Sequence, residues 1–390
     1  GVKKDSLLGY NSENGNFKPL PFDFTRDTVA TVVNKAGLIE TVGGGEPRID
    51  FKDNTKGALL LEPTRSNLIP YSNNLTNWNG AVMTTTLVDD LINPSNGLDA
   101  SKLTQTSSGG YAWLSRTFTG NETFSAFVKK DTSNFVRLYA GGNSVYFNIL
   151  NGTIETISGS VEDKSIIDYG NGWFRISISV NSTAASYVRI YPASSGSSSS
   201  GTNSLFVYGA QLEQGSYATS YIPNFGNSAG ATRSADSSSQ TPPSGIIGQT
   251  EGTMFFEIDF ANTSGVAGAW SISSGSSANR ITMNTLGFSL TQFTLSIAQN
   301  YNSSSTKLVS TNVTYSDNHK VAIKYSATTL KLFVDGQLAD SVATDGFGNY
   351  TKFYLGGNQV GVGGDARKFI QANLYNTALT DQELINLTKI

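Results

Sequence analysis

The chain has 390 residues, only 15% of them charged, with a formal net charge of −3. Charge this sparse cannot neutralise phosphates through clustered Lys and Arg, which excludes nucleic acid as a partner. With no cysteine and a single histidine, His319, thiol chemistry and any two-histidine site are excluded, so a metal site could only be oxygen-rich, for Ca²⁺ or Mg²⁺.

In chain order, residues 1–65 are Gly- and Asn-rich with short apolar pieces at 36–39 and 58–61, the pattern of a small irregular lead-in module. Alternating runs rich in Val, Ile, Phe, Tyr and Thr then predict strands over 123–130 (TFSAFVKK), 135–140 (FVRLYA), 173–180 (WFRISISV) and 187–191 (YVRIY). The run 194–201 (SSGSSSSG) between strands reads as a flexible hairpin loop, and the Ser-, Ala- and Pro-rich stretch 226–249 as a linker. Strands resume over 253–260, 321–325 and 330–334, with Asp335-Gly336 as a hairpin turn signal. Helical periodicity is convincing only at the end, where Thr380-Asp-Gln-Glu383 forms a capping box ahead of Leu384, Ile385 and Leu387. The fold expected is all-β: the lead-in over 1–65, an antiparallel β-sandwich over 66–225, the linker 226–249, and a second sandwich over 250–390. No apolar run is long enough to span a membrane or has the layout of a signal peptide, so membrane insertion is not expected.

Alternate residues of a strand share a face. That places Phe135, Arg137 and Tyr139 together, Tyr187, Arg189 and Tyr191 together, and Trp173 with Arg175 in the same phase. Aromatic rings that stack on the C–H face of a sugar, beside Arg forks that take its hydroxyls, suit carbohydrate binding. Three strands would then offer one common sugar-binding face. The alternative is a half-solvated sheet whose arginines are hydrated and whose aromatics cap an edge or an oligomer contact.

Several segments resemble modules of phage tail and virion proteins. Phe24-Thr25-Arg26, the run from Thr31 to Glu40, Pro47-Arg48-Ile49-Asp50 and Gly57 to Asn67 (GALLLEPTRSN), with Pro70-Tyr71-Ser72 and Trp78, look like a lead-in common in such proteins. Asn171-Gly-Trp-Phe-Arg-Ile-Ser177 with the run from Val207 to Pro223 is similar to a carbohydrate-binding-module-like jelly roll. From Glu251 onward, His319 to Tyr325, Leu330 to Gly336 and Asn373 to Thr380 resemble a laminin-G/concanavalin A-like lectin domain. The resemblance implies a non-enzymatic tail fibre or receptor-binding protein that recognises host-surface polysaccharide. It also implies other virion or tail subunits as partners, a trimeric homo-oligomer, and a place on the virion, extracellular on host contact. Sandwiches of this kind also serve as structural or decoration proteins of the virion, and as modules of bacterial adhesins or prophage products.

A third alternative is a polysaccharide-degrading tail enzyme. Laminarinase-type hydrolases share the second sandwich's fold and use a Glu-x-Asp-x-x-Glu strand; here Glu257-Ile-Asp259 is followed by Asn262 where the last Glu should stand. Retaining chemistry needs two carboxyls about 5 Å apart, so that loss removes the acid/base. Met254, Phe256, Ile258 and Phe260 would instead form the core face, with Glu257 and Asp259 toward solvent. No cofactor is required. Laminin-G-like domains often hold Ca²⁺ at one rim, and Asp345 and Asp365, in Gly-rich loops, are the candidate ligands. His319 matches a packing or turn position of that family. Trp78, Trp113 and Trp270 are further candidates to stack on a sugar.

Overall fold

A computed structural model describes residues 8–11, 17–19, 23–117, 119–182, 185–242, 244–260, 267–288, 292–302, 307–314, 318–344, 346–356 and 367–390. The chain is all-β, built of two β-sandwich units. Among the described residues the exceptions are a 3-10 turn, Leu75–Asn77, and the helix Asp381–Thr388. That helix starts where the capping box predicts: Thr380 Oγ1 accepts from Glu383 N at 3.2 Å, and the Glu383 carboxylate accepts from Thr380 N at 2.8 Å. Among the described residues no helix is long and apolar enough to cross a membrane.

The first unit comprises Gly1–Val29, Val42–Thr64 and Ser234–Ile390, the second Ala30–Thr41 and Arg65–Arg233. The lead-in and the linker are therefore not separate pieces: both supply strands to the units. Ala58–Leu61 pairs antiparallel with Arg367–Tyr375, and Leu8–Asn11 pairs parallel with the same strand. Asp23–Thr25 pairs with Ser237–Gln240, which continues onto Lys352–Leu355. Ala231–Arg233 pairs with Arg65–Asn67. Runs of Ser and Thr suggest a linker by composition, but an exposed sheet edge gives their backbone groups partners that composition does not reveal.

In the first unit two sheets close on one core. Met254, Phe256, Ile258 and Phe260 face inward as their alternation requires, and Phe256 stacks on Trp270 with ring centroids 4.8 Å apart. On the other face, Phe255, Ala322 and Phe333 are covered by Leu384 of the terminal helix. The Asp335-Gly336 hairpin forms as predicted: both residues have positive φ (48° and 82°), between the paired Val334 and Gln337.

The first unit also buries a cluster of four charged side chains. Arg26 Nη1 donates to Asp236 Oδ1 at 2.8 Å, Arg48 Nη1 to Glu62 Oε2 at 2.7 Å, and Arg48 Nη2 to Asp236 Oδ2. Asp236 Oδ2 also accepts from Glu62 N at 2.8 Å, and Arg26 donates as well to the carbonyls of Thr28, Gly43 and Glu46.

The second unit packs two six-stranded antiparallel sheets face to face, counted over the described residues. One runs, in spatial order, Met83–Val88, Ala100–Gln105, Ser204–Gln214, Gly120–Lys130, Trp173–Ser182, Asp163–Asp168; the other runs Thr153–Ser158, Asn143–Asn148, Phe135–Ala140, Ala185–Ala193, Tyr111–Thr117, Asn79–Ala81. Phe124, Ala126, Val136, Leu138, Ile176, Ile178, Val188 and Ile190 fill the space between them. The Ser-rich run 194–201 is not a hairpin. It connects Ala185–Ala193 in one sheet to Ser204–Gln214 in the other, and Ser199 O accepts from Gln105 Nε2 at 3.2 Å and from Gly109 N at 3.1 Å.

Candidate functional site

Because Val136, Leu138, Val188 and Ile190 fill the core, their alternate neighbours stand on the outer face of the second sheet. Register sets which of these meet. Arg137 lies opposite Tyr146 on one side and Tyr191 on the other; Arg189 lies opposite Tyr139 and Trp113; Tyr191 lies opposite Arg137, with the Tyr111 ring 4.7 Å away. The result is a checkerboard in which each arginine has aromatic neighbours across both strands.

The geometry is that of cation–π contact. The Arg137 guanidinium carbon is 4.9 Å from the Tyr191 ring centroid, 5.5 Å from Tyr146 and 5.8 Å from Tyr139. Arg189 lies 4.7 Å from both Tyr111 and Tyr139 and 5.1 Å from Tyr187. Trp113 meets Tyr187 edge-to-face at 5.1 Å, and Tyr187, 40% exposed, is the most open ring of the set. Arg189 Nη1 donates to Tyr191 Oη at 3.2 Å, and burial pushes the Tyr191 phenol above its ordinary value, so it stays protonated. Tyr146 Oη and Ser199 Oγ are 3.4 Å apart, which brings the Ser-rich connection to the rim. Among the described residues neither Arg137 nor Arg189 is ion-paired, and neither Nε has a hydrogen-bond partner. Most of their donors are unspent.

Five of the eight residues expected on the face meet there: Arg137, Tyr139, Tyr187, Arg189 and Tyr191. Phe135 begins the same strand in the same phase, half-buried, opposite Asn148 and Ala193. Trp173 and Arg175 do not join them. Their strand, Trp173–Ser182, belongs to the other sheet, and both are buried, at 2% and 6% exposure. Trp173 Nε1 donates to Ile92 O at 3.0 Å, Arg175 lies 5.3 Å from the Phe127 ring, and Val33 and Ile39 pack over this cluster. Alternation correctly put them on an outer face but could not say of which sheet. Sequence reading also missed Tyr111 and Tyr146, and named Trp113 as a candidate to stack on a sugar without placing it on this face. Tyr111 and Trp113 sit at the same two-residue spacing, a signal present in YAWLSRT.

The other candidates fall elsewhere. Trp78 and Trp270 are core residues of the two sandwiches. Glu257 lies opposite Lys320 and Gln371, and Asp259 opposite Asn318 and Lys368; Asn262 is outside the described residues. Asp345 and Asp365 are also outside the described residues, among which no group of three or more His, Asp or Glu could hold a metal ion. Clefts also open among the described residues of the second unit. One, of about 470 Å³, is lined by Lys129, Lys130, Asp131, Leu150, Asp168 and Phe174. Another, of about 400 Å³, includes Asn34, Glu40, Asn96, Tyr208 and Phe225.

His319 takes the packing role expected of it. Its Nδ1 is 2.6 Å from Asp335 Oδ2 and its Nε2 3.0 Å from Thr314 O. Burial alone would lower its pKa, but the Asp335 contact, with the Thr314 carbonyl and the Asp259 charge, raises it above the ordinary histidine value. A raised folded-state pKa means that this pair's stabilisation is complete below about pH 6.5 and is lost as pH rises through the folded value. As the chain's only imidazole, His319 should give one set of ring NMR signals titrating above about 6.5. Asp335→Asn, which keeps the turn, should move that titration down; an unmoved titration would contradict the pairing.

No family model matches the chain, and no curated protein matches it. Among solved structures it is similar to the CBM40 of Ruminococcus gnavus IT-sialidase bound to alpha2,3 sialyllactose, at 19% identity, covering 36% of this chain and 84% of that one, with a TM-score of 0.30. It is similar to the binding domain of botulinum neurotoxin serotype G at 9% identity, covering 66% of this chain and 50% of that one, with a TM-score of 0.30. The endo-beta-1,3-glucanase of Pyrococcus furiosus is similar at 16% identity, over 39% of this chain and 68% of that one, with a TM-score of 0.27. At identities and TM-scores this low the likenesses say nothing of what this chain binds, and the β-sandwich assignment rests on its own strands and cores.

Proposed function

We propose that the chain is a non-enzymatic glycan-binding protein whose outer face at Arg137 and Arg189 takes polysaccharide. The observation that carries this reading is two guanidiniums held in place by aromatic rings with most of their donors unspent. Rings and Arg forks in one plane can stack on a sugar and take its hydroxyls together. Each contact exchanges a water hydrogen bond for a protein one with little net gain, so single-site affinity is low and is offset by presenting several copies. That economy suits attachment of a phage tail or virion to a host surface, with the chain as a homo-oligomer beside other tail subunits. Binding without covalent chemistry fits the placement of Glu257 and Asp259, which stand beside the positions of Lys320 and Lys368.

The test is a glycan array, or host cells, probed with the intact chain and with Arg137→Ala/Arg189→Ala. Loss of binding by roughly tenfold or more is expected, since about 1.4 kcal/mol suffices for it. Equal binding by both proteins would remove the face as the site. A second reading, as a virion packing subunit, is favoured by the edge strand Thr153–Ser158, exposed along its whole length and carrying Ile154 and Ile157. It expects blank arrays and burial of that edge in the assembled particle.

A further inference from the structure

We infer that the Arg137/Arg189 face selects acidic sugars, those carrying a carboxylate, over neutral ones. This rests on the glycan-binding reading and narrows it. The chain as a whole is slightly acidic, at −3, yet the six strands of this sheet carry three arginines, no lysine, no aspartate and one glutamate. That glutamate, Glu155, lies on the edge strand and accepts from Thr153 Oγ1 at 2.8 Å. The strand Asn143–Asn148 separates it from the one that bears Arg137. Of the three arginines, Arg116 spends Nε on Leu68 O at 2.8 Å, whereas Arg137 and Arg189 point their forks at rings.

Two like charges share the Tyr139 ring between them with no counter-charge among the described residues. Cation–π contact orients a guanidinium without neutralising it, so the face keeps its field and its planar donors. The group that matches a fixed planar fork is a carboxylate, which takes two parallel N–H donors and makes hydrogen bonds about twice as strong as a neutral hydroxyl does. Diagonal neighbours on adjacent strands are about 7–8 Å apart at Cα, near enough for two carboxylates of one oligomer or one shared between the forks. The cleft near Lys129 differs on this point, because Asp131 and Asp168 line it beside its two lysines.

The experiment uses the intact chain on an array of sialylated, glucuronate-containing and galacturonate-containing oligosaccharides, each beside its carboxyl-reduced counterpart. Binding to at least one acidic form, with roughly tenfold weaker binding to its reduced counterpart, is expected. The preference should shrink as salt rises, and Arg137→Gln/Arg189→Gln should abolish it. Equal binding of acidic and reduced forms, lost together in the variant, overturns the selectivity and leaves the glycan-binding face standing. Blank arrays for every form overturn both.

Discussion

Replacing Asp236 with alanine is expected to destabilise the first unit by about 3–5 kcal/mol, the cost of leaving buried charge uncompensated. The Asp236 carboxylate is fully buried and receives the guanidiniums of Arg26 and Arg48 and the amide of Glu62. Removing it takes from Arg26 the carboxylate it pairs with and from Arg48 one of the two it pairs with, where water cannot hydrate them. For a unit of this size the loss corresponds to a fall of about 6–20 °C in unfolding midpoint. Asp236→Asn keeps the shape and one acceptor oxygen but not the charge, and should fall between the two. Calorimetry on the intact chain, with both variants beside the parent, is the suitable measurement. A shift of under about 2 °C in both variants would show that the cluster relaxes or hydrates on losing its centre.

The same residues explain what is legible in the sequence and what is not. The string around Arg26, Arg48 and Gly57 to Asn67 is conspicuous in the sequence, but only as a lead-in of unassigned purpose. The fold gives those residues a job: they are polar side chains buried against partners far along the chain, as with Arg26 and Asp236, 210 residues apart. Periodicity reports only neighbours two or four residues away, so it cannot show such pairs. The limit at the candidate site is of another kind. Alternation sets which side of its own strand each residue occupies, and every inward assignment on the 135–140 and 187–191 runs agrees with the core. Sheet membership depends on which strands pair, and near-identical phases in Trp173–Ser182 and Phe135–Ala140 hide the fact that they lie in different sheets. Trp173 and Arg175 leave the face for that reason, and Tyr111 and Tyr146 join it.

Asn67→Ala should have an effect of similar size on the second unit, about 4 kcal/mol, by a route without charge. Asn67 is fully buried, and its amide is saturated. Nδ2 donates to Ala210 O at 3.1 Å and to Ile222 O at 2.8 Å, and Oδ1 accepts from Ile69 N at 3.0 Å and Leu212 N at 3.1 Å. An amide has two donors and an acceptor with two lone pairs, so all its capacity is used. Alanine strands two N–H and two C=O groups at once, and leucine, though it keeps the branched shape and the same number of side-chain heavy atoms, strands the same four. Asn67→Asp separates hydrogen bonding from packing. It retains the acceptor for Ile69 and Leu212 but turns an anion toward the carbonyls of Ala210 and Ile222. That variant should be less stable than alanine at neutral pH and recover as pH falls through the carboxyl range, about 4 and above once burial has raised it, because the protonated acid can donate to one carbonyl. Its stability should thus rise toward acid, opposite in sign to a carboxylate that the fold stabilises in its charged form. Denaturant titrations of the three variants across pH would distinguish this from simple loss of volume, which predicts Asn67→Leu to be the mildest and none of them to depend on pH.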